Sequence, residues 1–272
     1  MDVIGLGKIG SAIADKLSKY EQYSVFKISS NKQKKDNSFF IEEKTNPEQY
    51  DENPINPNFD IGSELDFILC GEEAISASSL RILENYKDRT IRIFYIRPNH
   101  KFLSDIQKLT DNSVFNILQE YARSKRFDSM YILEQDSISK IMGKVPITVF
   151  YDKLYEYISS TIHMINFLDN SEPIMSSLKE SPPTYCLNTL GVMDLTTGAE
   201  SWFYPLDQVR ETRYYYCINK EQLNTDGELL DLINAQINSK IQEKVSTMLG
   251  IFPSEYEQNY CYIVSKSPYI QK

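Results

Sequence analysis

The opening of the chain leaves it few ways to begin folding. Asp2-Val3-Ile4 is a short strand, Gly5-Leu6-Gly7 a glycine turn, and Lys8-Ile9-Gly10-Ser11-Ala12-Ile13-Ala14-Asp15 the start of a helix with Ile9, Ile13 and Leu17 on one face. Gly5 and Gly7 let the backbone turn tightly and approach a ligand closely, while the first free amides of the helix point at any anion above them. Strand, turn and helix come in the order that a nucleotide cradle needs. Gly5, Gly7, Lys8, Gly10 and Ser11 are therefore candidate nucleotide contacts. The alternative is a tight strand-to-helix turn that binds nothing.

A chain of 272 residues, 41% of them hydrophobic and 12% aromatic, can bury the core of one large domain or two modest ones. Its net charge of −9 argues against a direct nucleic-acid partner, because binding a phosphate backbone needs a basic surface. Cys70, Cys186, Cys217 and Cys261 are too far apart for a zinc knuckle or a redox CxxC, so no metal site is expected and the thiols read as buried groups of a reducing compartment. No apolar run approaches the roughly 20 residues of a membrane span. With a glycine turn already at the fifth residue, no secretory leader is expected. A cytoplasmic protein with no membrane contact is expected.

Strand and helix signals then alternate. Residues 23–28 read as a second strand, running into Ser29, Ser30, Asn31 and the lysines Lys32, Lys34 and Lys35. No acid stands at this strand end to grip a ribose, as an NAD site requires; Ser29, Ser30 and Lys32 can instead hold the extra phosphate of NADP, or the lysines are simply solvated. Residues 36–63 form a long polar excursion with Phe39-Phe40-Ile41 as a strand candidate. Strands at 65–70, 90–96 and 129–133 follow, separated by helices at 78–86 and 102–126, with one helical turn at 138–142. Such alternation predicts a parallel sheet covered on both faces.

The longest helical pattern places Ile147, Phe150, Leu154, Ile158, Thr161, Ile165 and Leu168 at spacings of three and four. Being apolar on much of its circumference, this helix is expected to be buried between two units. Asn170-Ser171-Glu172-Pro173 ends it, and Ser181-Pro182-Pro183 marks a change of pattern. Strands at 185–194, 201–204, 213–218 and 260–264 surround one expected helix at 226–248. The fold class is thus α/β: a parallel Rossmann-like sheet with helices on both faces, a long central helix, then a smaller α+β domain. The expected divisions are 1–145, 146–170 and 171–272.

In this order of elements the chain resembles the tubulin/FtsZ superfamily over essentially its whole length. Gly7-Lys8-Ile9-Gly10-Ser11-Ala12-Ile13-Ala14 looks like the first nucleotide loop of that superfamily, residues 69–79 with Gly71 occupy the place of its phosphate loop, and residues 130–141 resemble the strand and turn before its ribose loop. Asp152 falls where the central helix offers a side chain to guanine. Leu118-Gln119-Glu120-Tyr121-Ala122-Arg123-Ser124 and Ser160-Thr161-Ile162-His163-Met164-Ile165-Asn166 look most like the divergent tubulin-like proteins of large bacteriophages. The resemblance implies GTP or GDP as cofactor and head-to-tail filaments, formed with further copies of the chain or with a paralogous tubulin-like subunit. It also implies a hydrolytic site completed by acids from the neighbouring subunit, here Asp169 and Glu172.

Two departures modify that expectation. The GGGTGSG phosphate loop of the superfamily has become Cys70-Gly71-Glu72-Glu73-Ala74-Ile75-Ser76. A carboxylate about 4 Å from a phosphate repels it by roughly 4 kcal/mol at protein-like dielectric. The NxDxxD pattern has become Asn166, Asp169 and Glu172, with both acids one residue late. Solvated helix-end acids are the plainer meaning of that pair. Hydrolysis is expected to be slow or absent. His100 and His163 read as structural histidines, and the 19 tyrosines, Tyr214-Tyr215-Tyr216 among them, as strand packing. An NADP-dependent oxidoreductase holding its cofactor on Gly5, Gly7 and Gly10 is the competing function.

Overall fold

The computed structural model describes residues 1–30, 37–44, 46–51 and 53–272; Asn31, Lys32, Lys34 and Lys35 lie outside the described residues. The chain forms two compact units, residues 1–160 with Lys272, and residues 161–271.

The first unit is built on six strands: β1 (Asp2–Leu6), β2 (Ser24–Ser29), β3 (Ser38–Phe40), β4 (Glu64–Cys70), β5 (Thr90–Arg97) and β6 (Ser129–Glu134). They lie in the order β3-β2-β1-β4-β5-β6, and every pairing is parallel. Parallel neighbours need a crossover between them. α1 (Gly7–Leu17), α2 (Ser79–Leu83), α3 (Asp105–Arg123) and α4 (Gln135–Met142) are the helices between and after these strands. On β4, Leu65, Phe67 and Leu69 point to one face and Ile68 and Cys70 to the other, yet all are buried, so helices cover both faces. Asp66, 1% exposed, is the polar exception on this strand. It sits directly opposite Arg92 on β5 and accepts from Arg92 Nε and Nη2, both at 2.8 Å.

Helix α3 begins at Asp105, later than its apolar pattern indicates, because Ser104 and Gln107 form a reciprocal capping box. The long helix α5 (Phe150–Asp169) buries Leu154, Ile158, Ile162, Ile165 and Leu168. It is not apolar all round: Ile147 lies in a short turn before it and is 90% exposed, and Tyr151 and Phe167 are exposed as well.

The second unit contains β7 (Met175–Ser176), β8 (Leu187–Met193), β9 (Glu200–Trp202), β10 (Glu211–Asn219), α6 (Lys220–Thr225), α7 (Leu229–Asn238), β11 (Ser246–Ser254) and β12 (Tyr260–Ser267). Its strands run β8-β12-β10-β11-β7, with β9 on β8; only the β10–β11 pairing is parallel among the described residues. The single helix expected at 226–248 is corrected here to the ten-residue α7, a loop and then β11. Helical spacing lapses at Asn238-Ser239-Lys240, and Thr247, Ile251 and Phe252 suit a pleated surface better. Strands β10 and β11 are parallel, so α6 and α7 are their crossover. Leu229, Ile233 and Ile237 of α7 pack on Tyr214, Tyr216, Ile218 and Ile251.

Candidate functional site

The strand order 3-2-1-4-5-6 reverses direction between β1 and β4, and in open α/β sheets a ligand crevice forms beyond the strand ends at such a point. Here the glycine turn after β1 meets the segment after β4. Gly7 has φ +76°, which favours glycine, and a Cβ on Gly10 would stand 2.3 Å from the carbonyl oxygen of Ile68. Only a bare backbone lets α1 begin this close to β4. Ser11 turns its hydroxyl back on the turn and donates to the Gly5 carbonyl at 3.1 Å.

An anion already sits on the first amides of α1, and it belongs to the protein. Lys8 N–H donates to Glu73 Oε1 at 2.7 Å, and Ile9 N–H donates to Glu73 Oε2 at 3.1 Å. Gly7 makes the space, since a Cβ there would lie 2.4 Å from Glu73 Oε2. Burial pushes the Glu73 carboxyl up to about 7; the two amides and the Lys8 charge oppose that shift, and repulsion from Glu72 adds to it. Glu72 is raised too, by burial first and then by Asp111. A cavity of about 340 Å³ adjoins this pair, lined in part by Glu43, Tyr50, Glu72, Glu73, Ile106 and Thr110. A phosphate therefore fits the amides of α1 only after Glu73 has left them.

The other candidates are placed as follows. Gly71 does not turn its amide to the crevice: its N–H donates to the Ile96 carbonyl at 3.3 Å. A Cβ on Gly71 would fall 1.9 Å from Asp111 Oδ1 and 2.0 Å from the Tyr95 hydroxyl. Asp152 is exposed in the first turn of α5 and pairs with Lys16 Nζ at 2.6 Å, which holds its carboxyl below the usual range. Lys16 lies in the last turn of α1, roughly 13 Å along the helix from Gly7 at 1.5 Å per residue. The structure thus gathers Gly5, Gly7, Lys8, Gly10 and Ser11 at one end of α1 and ties Asp152 to the other. In the second unit Asp169 and Glu172 are exposed at and just beyond the end of α5, and Asp169 Oδ1 accepts from the Tyr215 hydroxyl at 2.7 Å.

Two features escaped the sequence reading. One is the contact of Glu73 with α1, signalled only by a pair of acids directly after a buried strand. The other is Asp111, fully buried, which accepts from the Tyr95 hydroxyl at 2.6 Å and meets His100 Nε2 at 2.6 Å. Its signal was an acid on the same helical stripe as Phe115, Leu118 and Ala122. All four cysteines are buried and none is in a disulfide, and among the described residues no group of three His, Cys, Asp or Glu can hold a metal. Among the described residues no helix is long and apolar enough to cross a membrane.

A six-stranded parallel sheet in the order 3-2-1-4-5-6, with helices between the strands, is a doubly wound α/β fold. No family model matches the chain, and no curated protein does. Solved structures do. An FtsZ dimer from M. jannaschii is 10% identical, with 98% of this chain and 87% of that one covered at a TM-score of 0.69. CetZ from Methanosaeta thermophila is 14% identical, over 98% and 85%, at 0.68. A GTPγS-form protofilament of Bacillus thuringiensis serovar israelensis TubZ is 12% identical, over 97% and 86%, at 0.70. The chain shares its fold with these FtsZ, CetZ and TubZ structures.

Proposed function

We propose that this chain is a tubulin/FtsZ-type assembly protein with a degenerate guanine-nucleotide site, one that forms or joins head-to-tail filaments. The observation that carries the reading is the Glu73 carboxylate on the Lys8 and Ile9 amides, within a fold shared with FtsZ, CetZ and TubZ. A side chain that fills the anion cradle keeps the architecture while weakening its ligand. In this reading residues 1–145 are the nucleotide-binding domain, 146–170 the connecting helix and 171–272 the activation-type domain. GTP or GDP contacts Gly5, Gly7, Lys8, Gly10, Ser11 and Gly71, with Asp152 toward the base. Asp169 and Glu172 belong to the contact that completes a neighbour's site. A head-to-tail contact does not close, so it propagates into a filament. The neighbour is a second copy or a paralogous tubulin-like subunit; the sequence stretches quoted above resemble divergent bacteriophage tubulin-like proteins, and in this reading the chain works in the cytoplasm.

The test is a titration of GTP, GDP and NADPH against the purified protein, with light scattering and electron microscopy in parallel. Weak guanine-nucleotide binding and concentration-dependent filaments are expected. Binding of NADPH without GTP or GDP overturns the reading in favour of an oxidoreductase.

A further inference from the structure

We propose that helix α3 carries a self-association surface, on which a second copy of this chain docks its own α3 antiparallel, about a two-fold axis at Ser113. This contact is separate from the head-to-tail one and needs no nucleotide.

Among the described residues an apolar stripe of α3 lies open to water. Ile106, Leu109, Ser113, Ile117 and Tyr121 recur at spacings of three and four, so they share one face of the helix, and all five are exposed. Ile106 is 65% and Leu109 68% exposed, and Phe102, in the turn just before the helix, extends the apolar surface beyond its N-terminal end. The packing of α3 on its own unit is supplied by a different face, with Val114, Phe115, Leu118 and Ala122. A helix with a second apolar face in water is built to meet something else.

The charges beside the stripe select the partner and its direction. Each end of α3 carries an acid followed three residues later by a base: Asp105 with Lys108 Nζ 3.8 Å from its Oδ1, and Glu120 with Arg123 Nη2 2.6 Å from its Oε2. When a second α3 runs antiparallel with Ser113 against Ser113, Ile106 comes opposite Tyr121 and Leu109 opposite Ile117. The same register sets Asp105 opposite Arg123 and Lys108 opposite Glu120, each pair occurring twice because the contact is isologous. Two-fold symmetry keeps the same edge of both helices on the same side, so these charges meet across the seam and set its orientation, as flanking charges do in coiled coils. A parallel pair would instead put Asp105 on Asp105 and Arg123 on Arg123. Ser113, small and at the crossing point, lets the two helices approach to the about 8–10 Å of close packing. The helix is roughly 28 Å long at 1.5 Å per residue, so the interface is small and the dimer forms at high protein concentration.

The experiment follows the wild type by sedimentation velocity without nucleotide, from low to high micromolar concentration, beside Leu109→Glu, Ser113→Cys, Asp105→Lys and Arg123→Glu, with folding checked by circular dichroism. The wild type should show a monomer–dimer equilibrium, and Leu109→Glu should raise the dissociation constant about tenfold or more, since the change enters both copies. Ser113→Cys should give a covalent dimer on mild oxidation, because the axis brings its two thiols together while the four native cysteines are buried. Asp105→Lys and Arg123→Glu should each dimerise more weakly alone. Their one-to-one mixture should recover the wild-type affinity, because each chain then meets opposite charges on the other, and a folding defect has no such rescue. A wild type that stays monomeric throughout leaves the stripe to a different protein and overturns the proposal. So does a dimer that Leu109→Glu does not weaken, an absent cross-link in Ser113→Cys, or a mixture that pairs no better than its components.

Discussion

Tyr215 donates its hydroxyl to Asp169 Oδ1 at 2.7 Å, joining the centre of strand β10 to the last residue of α5. Tyr215 is only 1% exposed, so this contact fixes an otherwise solvent-facing acid to the core of the second unit. Tyr215→Phe keeps the ring and removes the hydrogen bond. It should lower unfolding stability by about 1 kcal/mol in urea denaturation. A change near zero would show that Asp169 is held by other means.

A larger loss is expected at Arg92. Its two nitrogens hold Asp66, which has almost no access to water, so Arg92→Met takes the charge and two hydrogen bonds of Arg92 from a buried carboxylate. Removing one partner of such a pair costs about 3–5 kcal/mol. Asp66→Asn combined with Arg92→Met should recover part of that loss, since the buried negative charge is then gone. Guanidinium denaturation of the two variants makes the comparison.

Glu73 should give the first unit an unusual pH dependence. Its folded value of about 7 lies above the unfolded 4.5, so between these pH values the folded state holds more proton. Its contribution to stability therefore falls as pH rises from 4.5 to 7 and is flat above that, by at most about 3 kcal/mol. Glu73→Gln should accordingly melt higher than the wild type at pH 8, and the difference should shrink toward pH 5. Calorimetry across that range provides the check, and a lower melting temperature for Glu73→Gln at pH 8 would reverse the sign argued here.

Gly71 is a candidate phosphate contact whose neighbours give it a structural reason to be glycine. A Cβ there meets the carboxylate of Asp111 and the hydroxyl of Tyr95 far inside contact distance. Gly71→Ala should destabilise the ligand-free protein by about 1–3 kcal/mol through overpacking. If the substitution leaves thermal unfolding unchanged and alters only nucleotide binding, the role of Gly71 is that of a contact.

The parts of the fold that could be read in sequence are those in which one periodicity runs unbroken. The strand, turn and helix of residues 2–15, the buried run of β4 and the Leu154-to-Leu168 stripe of α5 each repeat one pattern over several residues. Strand β11 was hidden because it follows α7 after a short loop, and Met248 and Ile251 keep a helical interval by chance. At the site, Glu72 and Glu73 could be recognised as acids standing where a phosphate loop is glycine-rich. That Glu73 reaches the amides of α1, 64 residues away along the chain, depends on β1 and β4 being neighbours. The links of Asp111 to His100 and Tyr95 depend in the same way on how α3 lies against β5.

Strand β12 lies between β8 and β10, pairing with both, although it follows them in the chain. During synthesis the second unit therefore waits for its central strand: until Tyr260–Ser267 has left the ribosome, Leu187–Met193 and Glu211–Asn219 have an unfilled place between them. Pairings this distant in sequence form slowly, and exposed strand edges invite wrong partners meanwhile. Nascent chains halted before residue 260 should be held by chaperones and cut readily by proteases within the second unit, while the parallel sheet of the first is already resistant.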